Sequence, residues 1–245
     1  MRLDQAWTVA RHDMGLFRRK RGLLAGLIAF PVGVGVGFPL FVAFVMIPRL
    51  HDAAPTVLPV FLDAFSFWFV IGAASLPTTL ASYSIVGEKI SKSLEPLLST
   101  PTTDGEILLG KTLAALVPTV LAMGAGAVVF QVLIDVSTRG ALGYLYYPNG
   151  EMAVLLLVAM PLAVLTAIEA SVVISSRATD LRSAQQGAGL ILLPYIFIYV
   201  AAEVVLTLDT TALLYISAGL AAATVVLFYA STRTFRREEI LTRWK

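Results

Sequence analysis

Six stretches of this chain are long and apolar enough to cross a bilayer, and little is left over to build anything else. A membrane-spanning helix needs about 20 mostly apolar residues. Residues 22–48, 64–87, 112–134, 152–176, 183–207 and 210–232 each reach 23 or more. Four of the six hold no charged side chain; the fourth and fifth hold one each, Glu169 and Glu203. The longest remaining piece, 88–111, has 24 residues, well short of a soluble domain. The expected fold is therefore an all-α membrane protein, one transmembrane domain over 1–245 with six transmembrane helices.

Composition closes off the alternatives. Hydrophobic residues make up 58% of the chain and charged residues only 14%, against about 25% charged in a soluble domain. With a mean hydropathy of +0.82, the polar surface is too small to cover a soluble enzyme or a nucleic-acid-binding module. There are no cysteines, which excludes disulfides, thiolate metal sites and cysteine nucleophiles. A charged lead-in of 21 residues before the first apolar stretch is unlike a cleaved signal peptide.

Basic residues orient the chain. If both termini are cytoplasmic, 16 of the 18 lysines and arginines lie inside and only Arg49 and Arg139 lie outside. Residues 1–21 repeat apolar side chains at helical spacing (Leu3, Trp7, Ala10, Met14, Phe17), with Asp4, Thr8, Arg11 and Arg18 on other faces. That pattern predicts an amphipathic elbow helix in the cytoplasmic interface, with residues 18–21 on anionic headgroups. Prolines 31, 39, 77, 118, 161 and 194 fall inside five of the spans, where neighbouring groups must re-satisfy the freed carbonyls. Gly22, Gly26, Gly33, Gly35 and Gly37 have the small-residue spacing that allows close helix approach.

The octapeptide GEILLGKT, residues 105–112, fits the phosphate-binding G-x-x-x-x-G-K-[ST] expression letter for letter, and 128–135 imitates the apolar strand and aspartate that accompany it. Context contradicts the match. A phosphate cradle needs a strand before it and a loop whose amides turn inward, whereas Glu106, Ile107, Leu108 and Leu109 suit a helix. Thr103 and Glu106 form instead a capping box opening the third span, and Lys111 is expected to snorkel to the inner headgroups.

The connection between the second and third spans, 88–111, reads GEKISKSLEPLLSTPTTDGEILLGK when counted from Gly87. Ser93 can cap a short helix with Leu94, Leu97 and Leu98 on one face, Pro96 in its first turn and Pro101 as its stop. The segment resembles the ATP-binding-cassette (ABC) type-2 transporter permease family, in which a GEK…TLE-LL-TP…E-I-L-LGK stretch joins spans two and three; Ser93 stands where threonine is usual. A Ser175-Ser176-Arg177…Ala184-Gln185-Gln186 turn before a proline-bearing fifth span extends the likeness. The resemblance implies a dimer of permeases served by separate nucleotide-binding ATPase subunits, so that ATP and Mg belong to the partner and this chain carries no cofactor and is not itself an enzyme. It also implies that the short helix is a coupling helix. Ser93, Leu94, Glu95, Leu97, Leu98, Ser99 and Thr100 would then meet the ATPase, in a cell-membrane exporter with the lipid bilayer as its other partner and no role for nucleic acid.

A charge within a span is a functional candidate, so Glu169 and Glu203 are candidates for a substrate path or gate. His12 and His51 lie outside the spans, and no His/Asp/Glu cluster has metal-ligand spacing. The competing function class is a stand-alone secondary transporter or channel that uses the two glutamates as ion sites.

Overall fold

The computed structural model describes residues 2–87, 102–178, 180–190, 193–194, 197–198 and 210–234. All regular structure among the described residues is helical. The 93–100 coupling segment, Glu203 and most of the fifth apolar stretch lie outside them.

Helix α1 (Leu3–Arg19) precedes a long helical rod made of α2 (Arg21–Val32), α3 (Phe38–Phe41) and α4 (Ile47–Leu50), joined by π-helical turns at Gly33–Gly37 and Val42–Met46. After a 3-10 turn at His51–Ala53 come α5 (Ala54–Ser66) and α6 (Trp68–Ser82), the latter continuing into a π turn at Tyr83–Gly87. Helix α7 (Asp104–Leu142) is followed by α8 (Gly150–Val154), a π turn at Leu155–Ala159, α9 (Met160–Arg177), α10 (Leu181–Gly189) and α11 (Thr210–Thr234).

Three of the π turns end two residues before a proline, at Pro39, Pro48 and Pro161. A proline ring collides with the carbonyl four residues back and offers no N–H to it. In each case that carbonyl (Gly35, Phe44 or Leu157) sits inside the widened turn. The i→i+5 spacing moves it clear of the ring, so the helix runs on through the proline.

Among the described residues, four helical stretches are long and apolar enough to cross a membrane: Arg21–Ser82, Asp104–Leu142, Gly150–Ser175 and Thr211–Arg233. The first has 62 residues, about 93 Å if it were straight, three times the roughly 30 Å hydrocarbon core. It folds back instead. His51, at φ 43 and ψ −118, reverses the chain, and the two arms pair antiparallel. Phe38 stacks on Phe61 and Phe65, Gly72 faces Phe30, and Leu23 and Leu27 share a cavity with Leu76 and Leu80. Residues 54–63, expected to lie in an outer connection, are thus helical.

Helix α7 has 39 residues, about 58 Å, and overhangs the expected 112–134 span at both ends. Thr103 caps it in a full capping box with Glu106, and Gly143 ends it at φ 79 in the left-handed region, which glycine enters without steric cost. The helix therefore extends to its caps rather than to the edge of its apolar window. Its middle is the hub of the core: Phe130 is fully buried among Phe38, Phe65, Phe69 and Tyr147.

The first rod crosses α7 backbone to backbone. A Cβ placed on Gly35 would stand 2.6 Å from the Gly126 carbonyl oxygen, and one on Gly126 would stand 2.7 Å from Pro31 Cβ. Of the five glycines noted in the first span, only Gly35 makes such a contact; Gly22, Gly26, Gly33 and Gly37 face open space. Gly35→Ala should therefore destabilise the detergent-solubilised protein by about 1–3 kcal/mol, the usual cost of overpacking. Gly33→Ala, two residues away, should leave the unfolding midpoint unchanged in the same thermal scan.

Candidate functional site

The bundle has a basic end, where α1 meets the start of α7, and an opposite end formed by the turn at His51 and the loop after α7. Polar side chains gather at both.

At the basic end, α1 lies flat on α7. The contact is close because Gly110 has no side chain: a Cβ there would come within 2.7 Å of the Ala6 carbonyl and of Val9. The buried face of α1 is Ala6, Val9, Ala10, Asp13 and Phe17, while Leu3 and Trp7 are exposed. The expected apolar strip is thus split. Ala10 and Phe17 pack inward, and Leu3 and Trp7 face out.

Asp13 is the unusual member of that face, only 1% exposed. Its carboxylate accepts a hydrogen bond from the Ser84 hydroxyl and faces Lys111 Nζ at 3.4 Å. Lys111 Nζ also donates to the Ser84 carbonyl at 2.9 Å and the Ser84 hydroxyl at 3.0 Å. Lys111 is 2% exposed, so it does not snorkel to the headgroups as expected. With α1 lying over Gly110, an aspartate is within reach and lipid is not. A second tie lies nearer the helix start, where the Arg2 backbone N–H donates to Glu106 Oε1 at 2.6 Å and the Thr103 N–H to Glu106 Oε2 at 2.9 Å.

One residue further along α7, the Thr112 hydroxyl donates to Glu169 Oε1 at 3.0 Å. The Ser231 hydroxyl of α11 donates to the other carboxylate oxygen. Glu169 is 1% exposed, closed off and shared among three helices. Nearby, Ser175 donates to Ser82 at 3.3 Å. Beyond α9, the Ser183 backbone N–H binds Asp180 and holds that carboxyl below the usual carboxylate range.

The phosphate-loop octapeptide is thereby explained. Residues 105–112 are the first turns of α7, where Thr103 takes the Glu106 N–H on its hydroxyl and the Ile107 N–H on its carbonyl. Gly110 admits α1, Lys111 binds Asp13, and Thr112 binds Glu169. The companion aspartate, Asp135, caps the opposite end: its Oδ1 accepts the backbone N–H groups of Tyr146 and Tyr147, both at 2.9 Å. The Tyr146 hydroxyl donates to Asp63, tying this loop to α5. Burial and the neighbouring Asp63 push both phenols well above their ordinary pKa, so each keeps its proton.

Of the sequence-predicted site residues, Glu169 is placed, and 93–100 and Glu203 lie outside the described residues. Sequence reasoning did not single out Asp13, Ser84, Asp63 or Tyr146. Asp13 had a usable signal, since it continues the Ala6–Val9–Ala10–Phe17 face at helical spacing. Among the described residues no group of three or more His, Asp or Glu side chains is placed to hold a metal ion.

Long apolar helices, a capped helix start in place of a phosphate loop, and buried polar ties between helices define a polytopic helical membrane protein. The model of one family, described as "ABC-2 family transporter protein", matches residues 7–229. The chain belongs to this family of ABC-2 type transporter permeases. No individual curated protein matches it.

Removing one member of a buried ion pair strands the other, at about 3–5 kcal/mol. Lys111→Met alone should lower stability on that scale. The double variant Asp13→Leu with Lys111→Met should recover most of the loss, read as unfolding midpoints of the purified proteins.

Proposed function

We propose that this chain is the membrane-spanning permease subunit of an ATP-driven exporter, coupled to a separate ATPase subunit that holds ATP and Mg. Two permease copies enclose the substrate path in the cell membrane, each with six spans, an interfacial elbow helix and both termini cytoplasmic. The observation that carries this reading is the bracing around segment 88–101. Its flanks are the π turn Tyr83–Gly87 that continues α6 and the Thr103 cap of α7, and α1 grips both, through Asp13 on Ser84 and through the Arg2 backbone on Glu106. A docking segment that transmits force needs rigid footings on either side; a passive loop does not. Glu169 supports the same reading over a stand-alone carrier, because its carboxylate is closed off and committed to two hydroxyls. Glu203 is the gate residue of the path, and Glu169, closed off inside one subunit, holds α7, α9 and α11 together behind it.

Two experiments test this proposal. The chain lacks cysteine, so single cysteines report topology directly. Cysteine at the exposed positions Ala53 and Gly140 should react with an impermeant maleimide in intact cells, and cysteine at the exposed Gly15 and Ser183 only after permeabilisation. The reverse pattern overturns the orientation.

Coupling is tested at Leu97. A buried leucine contributes roughly 1.5–3 kcal/mol, so Leu97→Asp should reduce co-purification of the ATPase about tenfold or more, while Leu97→Met is tolerated. Transport that persists unchanged in Leu97→Asp, or that needs no ATP, would sink the assignment.

A further inference from the structure

Where α1 meets the first hairpin, the surface is left unfilled. A groove with about 450 Å³ of free space, part of it open to the outside, is lined by Met14, Phe17, Leu23, Leu27, Leu80 and Pro118, with Arg18 at its rim. A second hollow of about 290 Å³ shares Leu23, Leu27 and Leu80 and continues past Gly22 and Gly26. Both glycines face open space, with nothing within 4 Å of a Cβ built on either. The two hollows, both partly open to the outside, adjoin along α2. From Gly22 to Leu27 the helix rises about 8 Å, roughly half the depth of one leaflet's hydrocarbon layer.

The charge at its mouth has one sign. Arg18, Arg19, Lys20 and Arg21 are consecutive and exposed, and among the described residues no acidic side chain lines either hollow. Asp13, the acid nearest to them in sequence on the buried face, is already engaged by Lys111 and Ser84. An apolar groove with Arg18 in its lining and three more basic residues next to it in sequence suits one kind of occupant. We propose that this groove is a binding site for a single anionic phospholipid. One acyl chain lies along Leu23 and Leu27 over Gly22 and Gly26, and the phosphodiester headgroup meets Arg18. The lipid wedges α1 against the first hairpin and is separate from any substrate path.

The test uses the full-length chain purified in detergent, incubated with an equimolar mixture of phosphatidylglycerol and phosphatidylcholine, and examined by native mass spectrometry. Wild type should retain one lipid, phosphatidylglycerol over phosphatidylcholine by about fivefold or more, the effect of one basic residue near an anionic headgroup. Arg18→Gln should abolish that preference and leave some lipid bound. Gly26→Phe should fill the groove and eject both lipids with little strain, and Gly22→Leu should act in the same way if Gly26→Phe does not fold. Equal retention of the two lipids by wild type, or undiminished retention in the filled variants, overturns the proposal. So does a lipid-free wild-type dimer that Gly26→Phe splits into monomers, since the groove would then be covered by a second copy of this chain.

Discussion

A lysine cannot be buried in an apolar bundle without an acid to meet it, and the basic end of this protein is arranged around that requirement. Lys111 lies in a helix whose neighbours are almost all apolar, and its counter-charge comes from α1, 98 residues away in the chain. Bringing Asp13 to it requires α1 to lie directly on α7. That in turn requires Gly110, where a side chain would hold the two backbones apart. Ser84 completes the set by donating to the carboxylate and accepting from the ammonium, so three helices converge on one buried pair. Glu169 repeats the scheme one position further on with hydroxyl partners. A helix outside the apolar spans is in this way fixed to those inside.

The backbone meets a parallel constraint. In an apolar surrounding every carbonyl must find a donor, yet prolines recur along these helices. The turns before Pro39, Pro48 and Pro161 answer by widening to the π form around the carbonyl that each ring would strike. The prolines are therefore absorbed locally and the rods remain continuous. Chain reversal falls to His51, a non-glycine residue at positive φ.

The parts of this architecture legible in the sequence were those set by local chemistry. Long apolar stretches declare themselves by composition, and the Thr103–Glu106 capping box is a four-residue pattern that forms as expected. The ABC-2 family resemblance rested on the 87–111 stretch and is matched over most of the chain. Features set by long-range contact were less legible. Lys111 was assigned to the headgroups because snorkelling assumes a lipid neighbour, and nothing near it in sequence announces Asp13. Of the α1 strip Leu3, Trp7, Ala10, Met14 and Phe17, the last three pack inward while Leu3 and Trp7 face out, because a charged Asp13 disguises the buried side. The far end of α7, at Leu142 rather than Ile134, is not legible because hydropathy marks where lipid stops, not where the helix stops. The helical stretch 54–63 is illegible for the same reason.

Helix α7 meets another backbone closely at two places, α1 at Gly110 and the first rod at Gly126. The two lie about 24 Å apart along the helix. A rod held at two separated points is clamped rather than pivoted, since a tilt against either neighbour opens one of the glycine contacts. The absence of side chains at Gly110, Gly35 and Gly126 thus makes α7 a splint between α1 and the first hairpin.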